Sequence, residues 1–199
     1  MEPKFTTYIG ANAGFLHNAA KDNVKVTTVN LGAKIENNGY YAVAEGGYGT
    51  SVYAKAEAGK DFPIKDSNLS LSTAIGGQYA QSTSSRDYYT KKFDAEGNSP
   101  SWKSNDARGY GQVALTYNSP SFKASLGVQG GVKTCTQPSL DGIKLDDIGE
   151  VSGTKYQGRT TKGFVTPVVQ MEVGKSFKGT LEASLDHLSI GAKLNIFSN

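Results

Sequence analysis

A chain of 199 residues with 21 Lys and Arg against 18 Asp and Glu carries a formal charge of +3, too mild and too interspersed to argue for a nucleic-acid surface. One cysteine, Cys135, excludes an intrachain disulfide framework and a zinc site built on several thiolates. No apolar run approaches the roughly 20 residues of a helical membrane span, yet a mean hydropathy of -0.42 does not exclude a membrane barrel, whose lipid face takes only every second residue. No composition shift divides the chain, so one domain over 1–199 is expected.

The dominant pattern is alternation with a period of two, the signature of strands with unlike faces. The first predicted strand runs from Lys4 to His17, with Ile9, Ala11, Ala13 and Phe15 on one face and Gly10, Asn12 and Gly14 on the other. The second, Val24 to Glu36, ends at Asn37-Asn38-Gly39, a hairpin signal because Asn and Gly tolerate positive φ. A third strand starts at Tyr40. The glycines between Tyr48 and Ser51 read as a tight turn, which sets the count at about ten strands; read as one continuous strand, they would give about eight. Val52 to Lys60, a turn from Pro63 to Asn68, and Leu69 to Ser82 follow. A polar insertion over 83–107 is too long for a hairpin turn.

Arg108 to Tyr117 and Phe122 to Lys133 form a hairpin around Asn118-Ser119-Pro120-Ser121, where proline blocks pairing. A second insertion covers 134–163. The chain closes with Phe164 to Ser176, a turn at Lys178-Gly179, Thr180 to Leu185, and Leu188 to Phe197; apolar parity shifts at Asp186-His187 and breaks the strand there. The expected fold is all-β, a closed antiparallel up-and-down β-barrel of about ten strands. Four short turns then share a rim with both termini and the two long loops share the other, the polarity with which outer-membrane barrels are built.

Which face points inward is read from size and charge. The polar face carries many glycines together with Lys34, Glu45, Lys55, Glu57, Lys123, Glu172 and Lys193. Glycine and paired charges suit a crowded small lumen, whereas a soluble barrel shows water a denser Lys and Glu surface. These seven residues are the expected interior charges. Phe5, Tyr40, Phe62, Tyr117, Phe122, Phe177 and Phe197 fall at strand ends on the short-turn rim, as an interfacial girdle would. Ala42, Ala44, Ala54, Ala56 and Ala58 make the apolar face of the third and fourth strands only weakly apolar.

Strand endings such as Gly59-Lys60-Asp61-Phe62 and Gly174-Lys175-Ser176-Phe177, with a final Gly191-Ala192-Lys193-Leu194-Asn195-Ile196-Phe197, make the chain resemble the small outer-membrane β-barrels of Gram-negative bacteria, of the OmpX and OmpA type. The resemblance covers nearly the whole length, and Phe197 looks like that family's terminal insertion signal, except that Ser198 and Asn199 follow it. It implies an outer-membrane location, with the lipid bilayer as partner. The start Met1-Glu2-Pro3-Lys4-Phe5 has no apolar stretch of signal-peptide type, so either an export signal was removed or none was used. A soluble or virion-associated structural barrel is the alternative.

His187 and Ser189, two apart with Asp186 adjacent, have the His-x-Ser spacing similar to that of outer-membrane lipid A deacylases; those enzymes place a glutamate further along, and none follows here. A non-enzymatic barrel is therefore expected, with a lipid-modifying hydrolase as the rival. His17 is expected at the rim. Asp141, Asp146, Asp147 and Glu150 lack EF-hand spacing and read as a solvated loop, so no metal or cofactor is assigned. In the first insertion Arg86, Tyr88, Tyr89, Lys92 and Trp102 combine aromatic and basic character, the composition of a contact surface for a protein or surface partner. Glu57→Lys is expected to destabilise the fold by burying like charges together; thermal melting checks it, and a variant that melts like the parent would place residue 57 in water.

Overall fold

The computed structural model describes residues 2–17, 23–84, 102–139, 144–145, 151–152, 156–185 and 187–199. Its strands are β1 (Lys4–His17), β2 (Asn23–Asn37), β3 (Tyr40–Gly49), β4 (Ser51–Pro63), β5 (Leu69–Ser84), β6 (Trp102–Ser119), β7 (Phe122–Ser139), β8 (Lys144–Leu145), β9 (Val151–Ser152), β10 (Tyr156–Gly174), β11 (Phe177–Ser184) and β12 (His187–Ser198). The two-residue strands β8 and β9 pair with each other, and the remaining ten close into one barrel in the order β1-β12-β11-β10-β7-β6-β5-β4-β3-β2. Each barrel strand pairs antiparallel with its neighbour, and β1 meets β12 from Thr6↔Ser198 to Leu16↔His187 to seal the cylinder. A register shift between Thr7 and Tyr8 leaves Ile196 as an extra residue, so Ile196 and Phe197 are both exposed.

The turns follow local chemistry. Asn38 (φ 49°) and Gly39 (φ 80°) form the two-residue link between Asn37 and Tyr40, a conformation few residues adopt without strain. At the glycines whose reading set the strand count, Tyr48 pairs with Val52 and the Thr50 amide donates to the Thr27 carbonyl at 2.9 Å, so the chain reverses and the barrel has ten strands. Ser119 pairs with Phe122 around Pro120-Ser121. The turn expected at Lys178-Gly179 lies instead at Lys175-Ser176. Gly174 takes the left-handed backbone (φ 117°), and Lys178 and Gly179 belong to the ladder opposite Gly174 and Val173.

Both long insertions are shorter than their polarity implies. β5 and β6 stay paired out to Ser84↔Trp102, and β7 and β10 out to Ser139↔Tyr156. Residues 102–107, 134–139 and 156–163 are strand because backbone pairing continues after the apolar alternation ends; where the sequence carries polar residues at both parities, the alternation that betrays a strand disappears. Trp102 is therefore a strand residue and not a loop residue. Arg86, Tyr88, Tyr89 and Lys92, with the acidic residues Asp141, Asp146, Asp147 and Glu150, lie outside the described residues.

The distribution of side chains is inverted relative to a water-soluble barrel. Val29, Leu31, Ile75, Leu126, Val165 and Ile190 all point outward and are more than half exposed, Val165 at 79%. The buried set instead includes Asn30, Glu45, Gln78, Asp106, Arg108, Gln112, Gln129 and His187. The girdle aromatics Phe5, Tyr40, Phe62, Tyr117, Phe177 and Phe197 are exposed near the short-turn rim, with Phe5 and Phe197 6.5 Å apart across the closing seam.

Inside, three cross-strand pairs set a glycine against a tyrosine: Gly32 against Tyr8, Gly59 against Tyr41, and Gly76 against Tyr110. A methyl group at these glycines would meet the facing Tyr Cζ at 2.3, 2.6 and 2.6 Å, so each ring lies flat over a missing side chain. Gly76→Ala is expected to cost about 1–3 kcal/mol through displacement of Tyr110. Gly109→Ala, where a Cβ meets nothing within 4 Å, serves as the control in denaturant unfolding and should be close to neutral.

Candidate functional site

The lumen is built by inward positions that recur at every second residue: Tyr8, Gly10 and Asn12 on β1; Asn30, Gly32 and Lys34 on β2; Tyr53, Lys55 and Glu57 on β4. The three tyrosines seated on glycine each reach a carboxylate. Tyr8 donates to Glu45 at 2.8 Å, and Tyr41 and Tyr110 donate to the two oxygens of Glu57 at 3.0 and 2.7 Å. Glu45 also accepts from Asn12 and Asn30, both at 3.1 Å, and pairs with Lys193 at 3.1 Å. Lys193 stands 4.6 Å above the Tyr8 ring, which closes this unit on itself.

Lys55 and Glu182 meet at 2.9 Å. Their strands, β4 and β11, are five places apart either way around a ring of ten, so this ion pair spans the full bore. Glu57 lies 4.0 Å from the Lys55 ammonium on one side. On the other, Gln170 donates to Glu182 at 3.3 Å, Gln112 to Gln170 at 3.2 Å, and Gln129 to Gln112 at 3.4 Å. The crossbar therefore continues as a chain of amides along the wall. Its donors and acceptors are engaged, as a low-dielectric interior requires.

Below the crossbar, a cavity of about 860 Å³ runs from the short-turn rim, at Lys4, Pro120 and Ser198, up to Tyr53, Glu182 and His187. Its mouth holds ion pairs between Lys34 and Glu36, between Lys178 and Glu172 at 3.0 Å, and between Lys123 and Asp61 at 3.8 Å. A run of hydroxyls completes the wall: Ser72 donates to Asp61 at 2.6 Å and lies 2.8 Å from Thr116, which lies 2.9 Å from Ser125. Above the crossbar none of Gln78, Ala80, Asp106, Arg108 or Cys135 lines this cavity; Arg108 stacks on Phe164 at 4.4 Å, and Ala80 and Cys135 are fully buried. The bore is thus a vestibule below and a packed layer above.

Lys34, Glu45, Lys55, Glu57, Lys123, Glu172 and Lys193 all line the vestibule. Sequence reasoning missed their partners. Glu182 shares the inward parity of Thr180 and Ser184, a signal that was available, whereas Glu36 and Asp61 sit where strand alternation gives way to turns. His187 and Ser189 both line the cavity, and the carboxylate near His187 Nε2, 4.0 Å away, is the upstream Glu182. That carboxylate is committed to Lys55 and Gln170, and no hydrogen bond joins His187 to Ser189, so a relay from carboxylate through imidazole to hydroxyl is not assembled. Among the described residues, no group of three His, Cys, Asp or Glu side chains is placed to hold a metal ion. The side chains of His17 and Trp102 lie outside the described set.

No protein-family model and no curated protein matches the chain. Among solved structures it is similar to Ail, the attachment invasion locus protein of Yersinia pestis, with 10% identity, a TM-score of 0.34, and coverage of 98% of this chain and 97% of that one. The same protein in complex with the heparin analogue sucrose octasulfate gives 11% identity, a TM-score of 0.32 and the same coverage. The toluene transporter TodX of Pseudomonas putida gives 9% identity and a TM-score of 0.35, over 97% of this chain and 67% of that one. The barrel assignment rests on this chain's own strand ladder.

Lys55→Met strands Glu182 opposite an apolar side chain. The expected loss is about 2–3 kcal/mol, below the ~3–5 of a fully buried pair because both side chains keep some exposure, 17% and 22%. Lys55→Met combined with Glu182→Leu should recover most of it, and denaturant unfolding of the two single variants and the double variant measures the coupling.

Proposed function

We propose that this chain is a non-enzymatic outer-membrane β-barrel with a structural or surface-contact role, of the small OmpX and OmpA-like kind, its short turns facing the periplasm and its long loops facing outward. One observation carries the reading: large aliphatic side chains cover the outside while charged and amide side chains fill the inside. In water that arrangement forfeits the hydrophobic contribution to folding and buries charge as well; in hydrocarbon both terms change sign. All barrel strands except the eight-residue β11 have ten residues or more, the length a tilted strand needs to cross a bilayer.

The long loops supply the contact surface in this proposal, with Arg86, Tyr88, Tyr89 and Lys92 as aromatic and basic members, Trp102 at the start of β6 beside them, and a protein or surface partner opposite. The seven lumen charges have a structural role, filling the bore with compensated polarity. Ten strands leave little free width, and above the vestibule the crossbar and the packed layer occupy it. No nucleic-acid partner is invoked.

The test is the solvent the folded chain requires. Folding only in detergent or lipid, with heat-modifiable migration on a gel, is expected; a monodisperse fold in plain buffer would overturn the reading. Ile75, 71% exposed on the outer face, supplies a second check. Ile75→Arg should lower stability in lipid by about 2–4 kcal/mol, whereas an arginine at a water-facing position would be close to neutral.

A further inference from the structure

Among the described strand residues, the lower half of the outer wall carries one charge. The other charged strand residues of that half, among them Lys4, Lys34, Asp61, Lys123, Glu172 and Lys193, line the lumen, and Lys60 alone among the described strand residues there has outward parity, in the series Ala54, Ala56, Ala58, Lys60, Phe62. It pairs across the ladder with Tyr40 at the height of the aromatic girdle. Its ammonium donates to Tyr40 Oη at 2.8 Å and stands 4.2 Å from the Tyr40 ring and 4.9 Å from the Phe62 ring. No carboxylate among the described residues comes within ion-pair reach of it, unlike Lys34, Lys55, Lys123, Lys178 and Lys193.

An ammonium has three donors, and the Tyr40 hydroxyl takes one. Two remain, on a cation held between aromatic walls at the boundary between hydrocarbon and headgroups. Further along the same strands the exterior is hollow. A shallow depression of about 740 Å³, walled mainly by Leu31, Ala33, Ala44, Ala54 and Ala56 of β2 to β4, reaches Thr7 on β1, Tyr79 on β5 and Arg108 on β6. It begins four residues, about 13 Å, from Lys60, which is the span from a lipid phosphate to the upper part of its acyl chains. A cation without a carboxylate partner and an apolar hollow, set one above the other along the tilted strand β4, match the two ends of one molecule.

We propose that Lys60, with Tyr40 and Phe62, binds the phosphate of a phospholipid in the leaflet facing the short turns, and that one acyl chain of that lipid lies in the alanine-lined depression of β2 to β4. The inference rests on the membrane reading above. The cation and the hollow are both needed: the first selects phosphate, the second selects a lipid over a free anion.

The test is native mass spectrometry of the full chain refolded in dodecyl maltoside micelles doped with dioleoylphosphatidylglycerol. The parent should retain one lipid per barrel, Lys60→Met should retain about tenfold less, the loss of one charge-assisted hydrogen bond, and Lys60→Arg should match the parent. Ala56→Phe, which fills the hollow and spares the cation, should also lose the lipid. Lys60→Met removes a charge from an apolar surface, so its folding should not suffer, and heat-modifiable migration of the same samples verifies that. Equal retention by folded Lys60→Met, equal retention of dioleoylglycerol by the parent, or full displacement by inorganic phosphate overturns the lipid site while leaving the membrane reading intact. Failure of the parent to fold in detergent overturns both.

Discussion

Charge compensation inside the cylinder is the constraint on which the remaining structure depends. A barrel with an apolar outside has no hydrophobic core to hold its walls, so its interior must be stable as a polar object. The Lys55–Glu182 pair supplies this across the widest separation available, from one wall to the diametrically opposite one. Glu45 and Glu57 supply it locally, each carboxylate receiving several donors from two or more strands. Removing a single partner leaves a charge without compensation, whereas replacing both partners can be nearly neutral.

Glycine placement makes that network sterically possible. A tyrosine directed into a narrow bore needs somewhere to lay its ring before its hydroxyl can reach a carboxylate, and Gly32, Gly59 and Gly76 provide the space on the neighbouring strand. The glycine content of the inner face is thus more than a general accommodation to crowding. At these three positions it sets the direction of Tyr8, Tyr41 and Tyr110, and through them the position of Glu45 and Glu57.

The lumen is unlike at its two ends, and so is the exterior. Below the crossbar the cavity reaches the short-turn rim and is walled by ion pairs and hydroxyls; above it Arg108, Phe164 and buried small residues close the packing. Outside, Phe5, Tyr40, Phe62, Tyr117, Phe177 and Phe197 gather at the short-turn rim, where Lys60 is inserted between two rings, and fewer described rings, Phe15, Tyr48 and Tyr79, are exposed toward the other. Both asymmetries run along the same axis, as expected of a protein that experiences different surroundings at its two ends.

The residues themselves determined the strand periodicity, the Asn38-Gly39 hairpin, and the parity that directs Lys34, Glu45, Lys55, Glu57, Lys123, Glu172 and Lys193 to one face, because a period of two and a need for positive φ are local properties. Where locality ends, so does legibility. Lys178-Gly179 looks like a turn, but the ladder between β10 and β11 places the reversal at Lys175-Ser176; polar segments such as 102–107 look like loop because their pairing partners lie elsewhere in the chain. Only the tertiary structure decided that Lys55 meets Glu182, 127 residues away. That the apolar face is the outer one was legible from the glycines and charges of the other face, not from alternation. Alternation specifies two faces without saying which is convex, and that choice is made when β1 closes on β12.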